Sequence, residues 1–131
     1  MLSQSDLSNF TGTFGYTRWS PLFSNMVLTD GTLHVAENGG NGGAYWLMDA
    51  IASYQPQLRK SEHWDTWASG LQVWTLKKMG EDSAVLACKD DQGASVITQE
   101  IEYTDFDLEE ITLWVMPADA NTWVIMLPSE Y

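Results

Sequence analysis

The chain has 131 residues, and its 18 aspartates and glutamates outnumber 6 lysines and arginines to give a formal net charge of −12. A field that one-signed repels nucleic acid and anionic membrane and attracts basic protein surfaces. Hydrophobic residues at 44% and seven tryptophans exclude a disordered acidic chain, and the length fits one globular domain over residues 1–131 whose core needs neither disulfide nor metal.

From the N-terminus, residues 2–10 can form a short helix with Ser3 or Ser5 as cap and Leu2, Leu7 and Phe10 as apolar anchors. No basic stretch followed by an apolar run marks an export signal there, and no segment has the length of a membrane span. Residues 26–28 and 33–36 flank Thr29-Asp30-Gly31-Thr32, and Asp-Gly between β-prone runs predicts a hairpin. Gly39-Gly40-Asn41-Gly42-Gly43 then breaks regular structure. It lacks the spacing of a dinucleotide loop and the Lys-Ser/Thr of a P-loop, so it reads as a flexible connector.

Leu47, Ala50, Ile51 and Tyr54 recur at helical spacing and predict the main helix over residues 44–54, with Pro56 ending it. A shorter helical turn is expected from Ser61 to Gly70, with Trp64, Trp67 and Ala68 on one face. Strands follow at 71–77, 84–89 and 95–103, separated by Gly80-Glu81-Asp82 and Asp90-Asp91-Gln92-Gly93, a pattern that predicts an antiparallel meander. Two more, at 111–116 and 122–127, are apolar on both faces and should lie centrally. The expected class is α+β: a single antiparallel sheet, a meander of about five C-terminal strands plus an N-terminal hairpin, packed against one main helix.

Ten of the 18 carboxylates fall between Glu81 and Glu110, where Lys89 is the lone base. Alternation along 95–103 sends Ile97, Gln99, Ile101 and Tyr103 to one face and Val96, Thr98, Glu100 and Glu102 to the other. Asp105, Asp107, Glu109 and Glu110 continue the acidic series. Residues two apart on a strand repeat at about 7 Å, near the spacing of phosphates on an extended nucleic-acid strand. The row therefore has two readings: an imitation of a nucleic-acid backbone, or a solvated face kept charged for solubility and to discourage edge pairing. Trp64 and Trp67, in a polar setting, are candidate interface anchors or lids over a sheet edge.

His34, His63 and Cys88 are the only soft metal ligands, and none pairs with another at zinc-motif spacing. Cys88 is the sole cysteine, which rules out an intramolecular disulfide, fits a reducing cytoplasmic setting and reads as buried and inert. No arrangement of His and Asp in the sequence amounts to catalytic geometry. No cofactor is expected.

At Gly43-Ala44-Tyr45-Trp46-Leu47-Met48-Asp49-Ala50-Ile51-Ala52-Ser53-Tyr54-Gln55 the chain resembles a bacterial, plasmid and phage family known only as a domain of unknown function. Phe10-Thr11-Gly12-Thr13, Leu28-Thr29-Asp30-Gly31, Ile101-Glu102-Tyr103-Thr104-Asp105-Phe106 and Leu127-Pro128-Ser129-Glu130-Tyr131 carry the same resemblance. The chain departs from the family's pattern in its longer glycine run and in Asp107, where family members often have proline. The resemblance implies one domain of mobile-element type and transfers no activity.

Charge and aromatic content together point to a small non-enzymatic interaction protein. The expected partner is a basic protein surface, such as a nucleic-acid-handling host or defence complex, bound through Thr98, Glu100, Glu102, Asp105, Asp107, Glu109 and Glu110 with Trp64 and Trp67. Free nucleic acid should not bind, since Arg18, Arg59, Lys60, Lys77, Lys78 and Lys89 are scattered. A ligand-binding or catalytic pocket between helix and sheet, and a structural oligomerisation module, are the alternatives. The oligomeric state is open.

Overall fold

In the computed structural model, residues 7, 16–20, 23–40, 43–59, 71–90, 93, 95–106, 108–117 and 122–130 are described. Their elements in chain order are β1 (Tyr16–Ser20), β2 (Phe23–Thr29), α1 (Asp30–Asn38), α2 (Tyr45–Arg59), β3 (Gln72–Lys78), β4 (Ala84–Lys89), β5 (Ser95–Ile101), β6 (Glu110–Pro117), β7 (Trp123–Met126) and a 3₁₀ turn, Pro128–Glu130. The seven strands form one sheet in the order β1-β2-β7-β6-β3-β4-β5.

The sheet is mixed rather than purely antiparallel as expected. β2 and β7 run parallel, with Met26 opposite Trp123 and Leu28 opposite Ile125, and every other pair is antiparallel. Burial explains the insertion of β7. All four of its residues are buried, so it needs strands on both sides and cover on both faces. β6 is also central, but its burial alternates: Ile111, Leu113 and Val115 are enclosed while Thr112, Trp114 and Met116 are partly open.

The meander holds three strands, β3, β4 and β5, rather than the expected five or so, because the chain then crosses back to place β6 on the far side of β3. The registers align Trp74, Leu76, Leu86, Cys88, Ile97, Leu113, Ile125 and Leu28 on one sheet face, and all of them belong to the buried core. Helix α2 contributes Leu47, Met48, Ile51, Ala52 and Gln55, a stripe at helical period. The core continues through Val35 and Ala36 of α1 and through Leu7, which is helical and buried.

Residues 33–36, expected as the second strand of a hairpin, belong instead to α1. Thr29 is the N-cap, its hydroxyl accepting from the Thr32 amide at 3.3 Å, and Asp30 lies in the first turn. The same Asp-Gly that marks a tight turn here opens a helix, and Thr32, Val35 and Ala36 fall on its buried face. The N-terminal hairpin exists, but it pairs β2 with the earlier strand β1.

Pro56 does not end α2, which continues to Arg59. Proline leaves without a main-chain partner the carbonyl four residues back and disturbs its neighbours. Side chains support the turn before it: Ser53 Oγ donates to Ala50 O at 2.7 Å and Gln55 Nε2 to Ile51 O at 3.1 Å. The helical turn expected from Ser61 to Gly70, and residues 2–10 apart from Leu7, lie outside the described residues.

Candidate interaction surface

The antiparallel registers bring the ends of β3 and β5 and the starts of β4 and β6 to one end of the sheet. The β3–β4 turn is closed by the Met79 amide donating to Ser83 O at 2.9 Å. The link from β5 to β6 is tied down over it, with Thr104 N donating to Asp82 O at 2.6 Å and Lys78 N to Glu109 O at 2.8 Å. Thr104 is buried and its hydroxyl accepts from the Phe106 amide, so the link holds a defined path.

Glu81, Asp82, Glu100, Glu102, Asp105, Glu109 and Glu110 all lie at this end, and all are exposed. Lys77 and Lys78 are the bases among them. Two of the three large apolar side chains that stand exposed among the described residues are here as well: Met79 at 64% and Tyr103 at 74%. The end of the sheet is therefore acidic with two apolar projections.

Thr98, Glu100 and Glu102 are exposed as the alternation along β5 predicts. The structure does not string all the acids into one row. On the face turned from the helices, Glu110, Lys77, Val85 and Glu100 lie opposite one another across four strands, about 14 Å from first to last at usual strand spacing. Thr112, Thr75, Ala87 and Thr98 form the next row. Lys77 thus stands between two acids. Asp105 belongs to neither row and packs against the glycine run: a Cβ on Gly40 would lie 2.5 Å from Asp105 Oδ1, and one on Gly39 2.7 Å from Phe106. Close packing explains these two glycines, where the sequence suggests only a flexible connector.

Tyr103 was expected on the inner face beside Ile101. β5 ends at Ile101, so the alternation stops before reaching Tyr103, and its ring turns outward. Met79, Glu81 and Asp82 join the surface through the β3–β4 turn; the meander register contains that proximity, but a reading confined to β5 and the following loop misses it. Asp107, Trp64 and Trp67 lie outside the described residues.

Other polar groups are turned inward and bind one another. Glu130 is buried and accepts from Thr29 Oγ1 at 2.6 Å, Leu127 N at 3.0 Å and Gly31 N at 3.1 Å. Gln55 and Gln72 exchange two amide bonds at 3.0 Å, and Trp74 Nε1 donates to Gln72 Oε1 at 3.0 Å. Tyr54 donates to Gln99, linking α2 to β5. Asn38 Nδ2 lies 3.3 Å from His34 Nδ1. Cys88 is wholly buried, and burial, with the charge of Asp90 second, pushes its thiol up to about 12.

An open groove of about 520 Å³ runs beside the 3₁₀ turn, lined by Leu7, Glu110, Ile111, Thr112, Leu127, Pro128 and Ser129. It lies at β6 and the C-terminal turn rather than between α2 and the sheet. Among the described residues no three His, Cys, Asp or Glu side chains gather as metal ligands, and no helix is long and apolar enough to cross a membrane.

A mixed seven-stranded sheet with two helices, an acidic end and inward-facing polar networks defines an α+β protein class. Residues 1–131 match a family of unknown function, DUF6876, and the chain belongs to that family. Neither the curated proteins nor the solved structures hold a match.

Proposed function

We propose that this protein is a non-enzymatic binding protein that docks the acidic end of its sheet onto a basic protein surface. The partner surface is of the kind that nucleic-acid-handling host or defence complexes use to grip phosphates, and docking inhibits the complex by occupying the place of nucleic acid. Such an activity suits a cytoplasmic protein of phage or plasmid origin.

One observation carries the reading: seven exposed carboxylates share one end of the sheet with exposed Met79 and Tyr103. Charge steers encounter and sets salt dependence, whereas aromatic and thioether side chains supply affinity when covered. Tyr103 and Met79 offer anchors of the kind that the sequence suggests for Trp64 and Trp67. A solubilising surface has no need for either.

The test is capture of a partner from host lysate by the parent protein and by a Glu100→Lys, Glu102→Lys, Glu109→Lys variant, which spares Asp105 because of its packing on Gly40. The parent should retain a nucleic-acid-binding protein that added nucleic acid displaces, and the variant should lose it with an unchanged thermal melt. Equal capture by both at low salt would reduce the acidic end to a solvated surface.

A further inference from the structure

Strand β5 terminates the sheet: β4 pairs with one of its sides, and among the described residues no strand pairs with the other. A terminal strand offers a row of main-chain N–H and C=O groups to any further strand, and proteins guard such edges with proline, lysine, bulges or shortness. β5 lacks most of these guards. It has seven residues, Ser95-Val96-Ile97-Thr98-Gln99-Glu100-Ile101, rich in β-branched side chains and without proline or lysine. Its pairing is regular from Ile97 to Ile101, the irregularity being confined to the Cys88/Lys89 end. Val96 and Ile101 are only half-buried where they pack against the core, so the edge keeps apolar surface that a neighbouring strand would cover.

We propose that the free edge of β5 receives an extended lysine- or arginine-rich segment of the partner as an eighth strand. This rests on the acidic-end reading above and gives that reading a geometry. Strand addition draws affinity from main-chain hydrogen bonds and selectivity from alternate side chains. Glu100 within β5, and Glu102 just past it, favour cations on the incoming strand, since opposite charges stabilise cross-strand neighbours. A second copy of this chain is a poor occupant. It would bring a net charge of −12 against another −12.

The experiment titrates the full isotope-labelled chain at low salt with a short synthetic peptide alternating lysine with valine. The same peptide N-methylated throughout, which keeps its charge but cannot pair as a strand, is the control. The unmodified peptide should slow hydrogen exchange at alternate amides of residues 95–101 and bind at least about tenfold more tightly than the control. If both peptides bind alike and those amides gain no protection, strand addition is wrong while attraction to basic partners stands. If neither binds, the edge takes no basic strand and the inference fails, whereas the acidic-end reading is decided by the charge-reversal capture.

Discussion

Thr29 and Glu130, 101 positions apart in the chain, meet as hydroxyl and carboxylate at 2.6 Å in the protein interior. Around this contact the first turn of α1 is completed from both ends of the sequence. Thr29 Oγ1 accepts from Thr32 N, Glu130 accepts from Gly31 N, and the Thr32 hydroxyl donates to Ile125 O of β7 at 2.8 Å. A carboxylate here satisfies helix donors that have no partner within the helix and favours the positive end of its dipole.

Removing the carboxylate with Glu130→Ala should therefore destabilise the fold by about 3 kcal/mol, because three buried donors lose their acceptor. Glu130→Gln should lose less, about 1–2 kcal/mol, since its oxygen still accepts while its amide opposes one donor. Urea melts of both variants and of Thr29→Val measure this, with a Thr29→Val/Glu130→Ala double variant expected to fall short of the sum. Gly31→Ala should also destabilise the fold, against the usual helix preference, because its Cβ would lie 2.5 Å from Glu130 Oε1 and 2.6 Å from Leu127 Cδ1.

The Gln55–Gln72–Trp74 network makes a second expectation. Gln72→Leu strands the Gln55 amide oxygen and the Trp74 N–H in the core and should lower stability by about 2–3 kcal/mol. Adding Gln55→Leu should recover part of that loss, since one of the stranded groups is then gone. A double variant less stable than Gln72→Leu by the full cost of Gln55→Leu would mean that the two amides act independently.

Alkaline stability should report on Cys88. Its folded-state pKa of about 12 lies above that of an unfolded thiol, so the unfolded chain releases this proton first. The stabilisation is complete below the ordinary thiol range and declines as pH rises toward the folded value, at up to about 1.4 kcal/mol per pH unit. The stability difference between the parent and Cys88→Ala should accordingly shift against the parent above about pH 9. Below that range the thiol should resist iodoacetamide until the protein is unfolded.

Trp123→Ala addresses β7. The side chain is 5% exposed in a strand buried throughout, so truncation should destabilise the domain by about 3–5 kcal/mol in urea melts. A loss under about 1 kcal/mol would be that of a surface position.

Much of the secondary structure is visible in local pattern. Turn residues set off β3, β4 and β5, alternation gives the faces of β5, and apolar runs mark β6 and β7, although only β7 is buried throughout while the burial of β6 alternates. Helix α2 shows in the same way at period 3.6. The acids of β5 and the described acids of the link to β6, Glu102, Asp105 and Glu109, are local too, and their exposure agrees with their sequence positions.

The sequence by itself determined the five C-terminal strands, most of the main helix, the burial of Cys88 and the sign of the field, but not β1. Tertiary structure alone decided what Thr29-Asp30-Gly31-Thr32 becomes, since this tetrapeptide suits a hairpin turn and a helix start equally, and Glu130 and Ile125 supply the partners that favour the helix. It also decided the parallel pairing of β7 with β2, because strand direction depends on which buried edges meet and leaves no local mark. The gathering of Met79 and Tyr103 with the acids belongs to the same category: it arises where the ends of separate strands converge, beyond the reach of any pattern within one strand.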